Sequence, residues 1–457
     1  MDHKPLSNFE AWKFYMKDCI SPESYIDMGF YYMISAALQR RVYLGSDNKP
    51  LFPNQFIIFV GPPGIGKGLV LTEVADILKH HKKRKNLKLP TPAPNGEGKI
   101  DEAAHEALMN EFRQQNPTVP VNVPGAPPKR PREPLAIPMA ADASTYEGLV
   151  RAHALSLTSF FTNYPSRLVK GGIYTHSSLC FCLEEISSLF RKHSEDVARY
   201  LQRAFDCTDY EYAAKTAGLE DFVLSPCLNI LGGTQQSFIQ EVFKNQVLTE
   251  GFASRTIFIP ESSPRAHTYD MFTFSPEQLA AKQQIVDHIG KLISLFGLVK
   301  QSPEAYEYIK YYVEKILPNK TLRPNRSPKL DDYYSRKRVH IEKMALAIHF
   351  SESTEFVVQV ESYQKAIEKL DFIEKTMDTA LMIGGRNPLG TLSEKVVEFL
   401  QKTGPSTFIV IWKAMINDLN EKQLVEVLDF LMRSGKVGAD QKERDKNSNV
   451  ITKYQAI

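Results

Sequence analysis

Residues 56–68 read FIIFVGPPGIGKG. Five consecutive apolar residues make a run of strand length with no alternation. That is the pattern of a strand buried on both faces of a parallel sheet. Gly61, Pro62, Pro63, Gly64, Ile65 and Gly66 follow, and then LVLTEVADILKHH carries apolar residues at helical spacing. Strand, glycine-rich loop and helix in this order predict an α/β fold whose loop turns backbone N–H groups toward an anion. The helix that follows adds the positive end of its dipole. The stretch from Gly61 through Lys67, Gly68 and Leu69 is the candidate triphosphate cradle, with Lys67 pairing with the β- and γ-phosphates. A Ser or Thr hydroxyl normally follows the lysine and ligates Mg²⁺, and here the position is Gly68. ATP binding is expected to survive, with the metal held by phosphates, water and an acidic residue elsewhere.

Such an acid belongs at the end of a neighbouring parallel strand. SLCFCLEE (residues 178–185) is a second buried run, and it ends in Glu184 and Glu185. Glu184 is placed as the Mg²⁺-associated carboxylate, and Glu185 to polarise a water for attack on the γ-phosphate. Two carboxylates closing a buried strand are costly unless they meet a cation or solvent. CLNILGG is a third strand and is followed by Thr234 and Gln235. These are candidate phosphate sensors, or simply loop residues. RTIFI is a fourth strand with Arg255 at its start. That guanidinium fits either a surface arginine or a group stabilising transition-state charge on a neighbouring subunit's nucleotide.

The rest of the chain falls into segments. Residues 1–50 read as an N-terminal helical segment, with Ser21-Pro22-Glu23 as an N-cap, a first-position proline and an acid in the first turn. Residues 51–262 form the nucleotide core. A Pro-rich insertion over 80–138 interrupts it and holds eleven of the chain's 28 prolines from Pro90 on, as an extended linker would. Its basic runs, KHHKKRK and KRPRE, read as solvated charge or as nucleic-acid patches. Residues 263–388 are mainly helical in pattern, up to the linker signal GGRNP. Residues 391–457 show three helical stretches and a polar-tipped ribbon, which together predict a winged helix that binds DNA or protein.

The order of these parts resembles the AAA+ helicases of the MCM type, and more closely the helicase and primase-helicase ATPases of phages and mobile elements. Ser254-Arg255 matches the Ser-Arg of their arginine-finger motif, and Thr256 departs from it. Arg336 in YYSRKRVHIEKMALA stands nine residues before Ala345, the spacing of their second sensor. Their acidic pair is Asp-Glu, where this chain has Glu184-Glu185. The resemblance implies a P-loop AAA+ parallel-sheet core with a helical lid. It also implies a homo-oligomeric ring, a hexamer in the family, with ATP and Mg²⁺ at subunit junctions where Glu185, Thr234, Arg255 and Arg336 act. A hairpin before the sensor strand would reach single-stranded DNA in the pore. YEYAAKTAGLEDFVL occupies that place and puts Lys215 and Thr216 near its tip, although a lone loop lysine is an ordinary feature. A primase or a loader would be a further partner.

Composition narrows the field around this reading. A net charge of +3 is too mild to mark a nucleic-acid binder by itself. Five cysteines without a CxxC pair read as reduced thiols, with Cys180 and Cys182 as packing. No apolar run reaches membrane-spanning length, so the expectation is a cytoplasmic protein without membrane contact. Two other functions fit the same loop: a non-helicase, ATP-dependent assembly factor such as a loader or transposition regulator, and a nucleotide kinase.

Overall fold

A computed structural model describes residues 5–81, 106–111, 136–140, 145–190, 194–213, 220–242, 251–269, 273–381, 388–415, 419–444 and 450–456. The chain divides into two compact units, Met1–Leu381 and Met382–Ile457. Among the described residues no helix is long and apolar enough to cross a membrane.

The first unit opens with helices α1 (Asn8–Tyr15) and α2 (Glu23–Leu38). Ser7 and Glu10 close a capping box at the start of α1, which satisfies two N–H groups the helix leaves open. All of α2 beyond Glu23 is buried, as a helix with apolar residues on every side must be. Ser21 does not cap it: Pro22 takes the cap position with no side-chain bond, and the Ser21 hydroxyl is used elsewhere. Strands β1 (Val42–Ser46) and β2 (Lys49–Leu51) follow, then β3 (Phe56–Val60) and helix α3 (Lys67–His80).

β3 is buried along its whole length and lies inside a five-stranded sheet. The other members are β4 (Leu157–Phe161), β5 (Ile173–Leu183), β8 (Pro226–Thr234) and β9 (Ile257–Pro260); between β5 and β8 the chain forms the hairpin of β6 (Tyr210–Ala213) and β7 (Glu220–Val223). The sheet order is β4-β5-β8-β3-β9. β3 runs parallel to β8 and β9, and β5 runs parallel to β8. The edge strand β4 is antiparallel to β5, so the sheet is mixed where an all-parallel one was expected. Beyond β4 the same edge of β5 meets residues 138–140, with a parallel bridge from Met139 to Cys180.

A second sheet was not legible beforehand. β10 (Gly297–Gln301) pairs in parallel with β1 and with β11 (Val357–Val358). It joins the N-terminal segment to the region after residue 263. The long helix Asp331–Glu352 is buried over most of its length and packs on α2 and on the Ala253–Arg255 turn. Lys343, deep in this helix, donates to Phe52 O and to Asn54 Oδ1. It ties the helix to the segment leading into β3.

The second unit has helices Pro388–Thr403, Phe408–Met415 and Glu421–Arg433. Its three-stranded sheet has the order β12-β14-β13, formed by Ser406–Thr407, Val450–Ala456 and Val437–Arg444. Val396, Leu400, Ile411, Leu424, Val427 and Leu431 make a core of its own. The Glu421–Arg433 helix starts at Asn420 with a capping box to Gln423.

Candidate functional site

The loop after β3 takes the shape its glycines permit. Gly64 and Gly66 have φ of 80° and 93°, in the left-handed region that glycine enters without a steric cost. Gly66 is the N-cap of α3, which directs the helix's first N–H groups into the loop. The Ser21 hydroxyl donates to Gly66 O at 2.6 Å, so the segment before α2 buttresses the loop from outside. A helix-cap signal in the sequence concealed that role.

Lys67 is the first residue of α3. Its ammonium donates to Gly61 O at 2.6 Å and to Pro62 O at 2.9 Å. Partial burial lowers its pKa, and the charge of Glu185 opposes the shift.

β5 and β8 end beside this loop because they run parallel to β3 or to its neighbour. Ligands of such sheets bind outside the carboxyl ends of the strands. Glu184 and Glu185 follow the last residue of β5, and Thr234 is the last residue of β8. The Thr234 hydroxyl donates to Glu185 Oε1 at 2.8 Å. The Ser187 N–H donates to the same oxygen at 3.4 Å, so the Glu185 carboxylate is oriented from two sides. The Glu184 carboxylate faces Gly68: a Cβ on Gly68 would lie 3.7 Å from Glu184 Oε1.

These groups open on one cleft of about 630 Å³. Pro63, Gly64, Ile65, Gly66, Lys67, Gly68 and Leu69 line one side, and Glu184, Glu185 and Gln235 another. The remaining wall is largely apolar, from Met16, Cys19, Ile20 and Phe274, with Thr72 and Glu73 beside it. Phe274 stacks on Tyr15 with ring centroids 4.7 Å apart. The cleft thus has a polar, cation-bearing end and an apolar end, as a nucleotide's phosphates and base require. The apolar wall comes from residues scattered over the first and third segments, and no motif announced it. Among the described residues no group of three or more His, Cys, Asp or Glu is placed to hold a metal.

Arg255 and Arg336 are brought together, away from this cleft. Arg255 ends the Ala253–Arg255 turn before β9, level with the start of β3, whereas the loop follows the end of β3. The five residues of β3 at about 3.3 Å each separate the two levels by about 16 Å. Arg255 does not project as an arginine finger would. Its Nη2 donates to Asp206 Oδ2 at 2.7 Å and its Nη1 to Gly251 O at 2.8 Å. Asp206, which follows the Ser194–Phe205 helix, draws it inward, and Arg336 Nη1 reaches Asp206 Oδ1 at 3.4 Å. Asp206 was missed because a single acid after a helix carries no motif. Lys215 and Thr216 lie outside the described residues, between β6 and β7. No protein-family model matches the chain, and no curated protein is detectably similar to it in sequence.

Proposed function

We propose that this chain is an ATP-dependent DNA translocase of the helicase class, acting in DNA replication as a ring of identical copies. In this reading the first unit is a phosphate-loop core of the AAA+ kind and the second is a winged helix. One observation carries it: Lys67, Glu184, Glu185 and Gln235 open on the same cleft, with Thr234 bonded to Glu185 behind them.

Each side chain has a task there. The N–H groups at the start of α3 and in the loop would bind phosphate oxygens. Lys67 would exchange two neutral carbonyls for the charged β- and γ-phosphates, a stronger pairing. Glu185 would take a proton from the attacking water, with Thr234 holding its carboxylate in place. Mg²⁺, held by phosphate oxygens, water and Glu184, would neutralise charge on the transferred phosphoryl group. The apolar wall of Met16, Ile20 and Phe274 would receive the base. Arg336, the more exposed of the two arginines at Asp206, sits about a strand's length from its own Lys67, so a part for it in hydrolysis would need another copy's nucleotide. That is the reason for reading a ring.

The test is hydrolysis of ATP by the full chain with and without single-stranded DNA, and unwinding of a forked duplex. Lys67→Ala should lose nucleotide binding and both activities. Glu185→Gln should bind ATP and fail to hydrolyse or unwind. Unwinding retained by Glu185→Gln would reject the catalytic assignment.

The surface of the second unit favours the assembly-factor reading. The exposed side of its Glu421–Arg433 helix is charged along its middle and carries Val425 and Met432 on one edge and Phe430 on the other, 54%, 37% and 46% exposed. Asp429 pairs with Arg433 on that side, and Glu421 and Glu426 outweigh Lys422. An exposed helix side without surplus positive charge suits a protein partner better than phosphate. ATP-driven assembly with no strand separation would decide for that reading.

A further inference from the structure

The apolar wall of the cleft depends on a short piece of chain. Met16, Cys19 and Ile20 belong to the connection between α1 and α2, which has no helix or strand of its own to hold it. Arg265, in the segment after β9, holds it instead. Its Nε donates to Cys19 O and its Nη2 to Lys17 O, each at 2.8 Å, and Nη2 also donates to Met16 O. Nη1 pairs with the Glu23 carboxylate, and the backbone N–H of Arg265 donates to Ile20 O at 3.0 Å. Met16 is the C-cap of α1, so the guanidinium meets carbonyls at a helix end, where a cation is favoured. The Arg265 side chain is 18% exposed, and it is not among the described residues that line the cleft. The other end of the same connection is fastened separately. Cys19 Sγ lies 3.1 Å from Ser21 Oγ, which donates to Gly66 O.

We propose that Arg265 is a positioning residue for the base of the bound nucleotide, holding Met16, Cys19 and Ile20 as the wall against which the base packs. This rests on the reading of the Lys67 cleft as a triphosphate site. The guanidinium acts through the carbonyls it fixes and not by touching the ligand. A loose connection would have to be ordered each time a nucleotide bound, and that ordering lowers affinity. Arg265 orders it in advance, because a planar fork bonded to three carbonyls and a carboxylate has little freedom left. The two ends of the cleft then depend on different groups. The base end needs Arg265, and the phosphate end needs the loop glycines, Lys67 and the Ser21 bond. Phe274 keeps its own seat on Tyr15, so loss of Arg265 weakens the base end without abolishing it.

The test compares the affinity of the full chain for ATP with that for tripolyphosphate, which carries the phosphates and no base, both with Mg²⁺ and by titration calorimetry. Arg265→Ala should bind ATP about tenfold more weakly and tripolyphosphate within about twofold of the parent, with kcat for ATP also within about twofold. Arg265→Lys restores the charge and not the fork, so it should bind ATP about threefold more weakly and leave tripolyphosphate unchanged. Where the alanine variant does not fold, the lysine variant carries the test. General damage to the fold would weaken both ligands together and lower kcat. ATP affinity at the parent's level in every variant that folds, or equal losses for the two ligands, would overturn the proposal. A parent that binds neither ligand, or a Lys67→Ala protein that binds both as the parent does, would instead sink the triphosphate site itself, so the two failures are distinguishable.

Discussion

Glu184 Oε1 stands 3.7 Å, and Glu184 Cδ 3.9 Å, from the point that a Cβ on Gly68 would occupy. Both are ordinary contact distances, so a small side chain fits there. Its hydroxyl would enter the space between the loop and the carboxylate, where the metal is expected. Gly68→Ser should therefore lower the Mg²⁺ concentration for half-maximal hydrolysis severalfold, and Glu184→Gln should raise it. Gly68 is also the second residue of α3, where replacing glycine stabilises by about 0.4–1 kcal/mol. The melting temperature should rise slightly. Loss of nucleotide binding in Gly68→Ser would show that the phosphates need that space.

The bond from Thr234 to Glu185 makes a different prediction. Thr234 is fully buried, and its hydroxyl donates at 2.8 Å to the carboxylate oxygen that Ser187 also reaches. Thr234→Val keeps the shape and removes the donor. Nucleotide affinity should stay within about twofold, and kcat should fall about 10- to 100-fold, the effect of one hydrogen bond to a charged group. Single-turnover hydrolysis measures this directly. Equal falls in affinity and rate would mean that Thr234 shapes the cleft and does not orient Glu185.

Much of this site was legible because each part has a local signature. The loop is a glycine pattern between a five-residue apolar run and a helix, and the carboxylates end another apolar run. β1, β10 and β11 left no such trace. β1 pairs with β10 across 255 positions (Val42 with Gly297) and β10 with β11 across 57 (Lys300 with Val357), and the segment after residue 296 is too short to show periodicity. Ser21 was misread because Ser-Pro-Glu signals a helix cap locally, while its hydroxyl is taken by Gly66 O, 45 residues away. Arg255 followed its motif into place, but its direction depends on Asp206, and pairings between distant charges have no pattern in sequence. Local chemistry was readable, and long-range partners were not.

Gly66 carries the strongest steric demand in the loop. Its φ is 93°, and an added Cβ would meet Ser21 Oγ at 2.6 Å and Ser21 Cα at 3.0 Å. Gly66→Ala must either strain the backbone or push the Ser21 segment away. Affinity for ATP should fall at least about tenfold, with far-ultraviolet circular dichroism unchanged. Ser21→Ala removes the hydroxyl and its bond to Gly66 O, so it should weaken binding more mildly. A Gly66→Ala protein with parental affinity would show that the loop is rebuilt on binding.

His153 and His340 set the acid limit of the first unit. Burial pushes the pKa of each down to about 4. Their Nε2 groups donate to Ser177 O at 3.0 Å and to Ser254 O at 2.9 Å. Both are neutral in the native protein, whereas in the unfolded chain they titrate near 6.5. Between pH 6.5 and 4 the unfolded state binds more protons, so stability is full above that window and is lost as the pH falls through it. Each histidine withdraws up to about 3 kcal/mol across the window. Between pH 5 and 6.5 most carboxylates are already ionised in both states, so the histidines dominate. Urea unfolding of the first unit's transition should show two or more protons taken up per molecule, and His340→Gln should remove one of them. A pH-independent midpoint over that range would mean that neither imidazole is neutral and buried as placed.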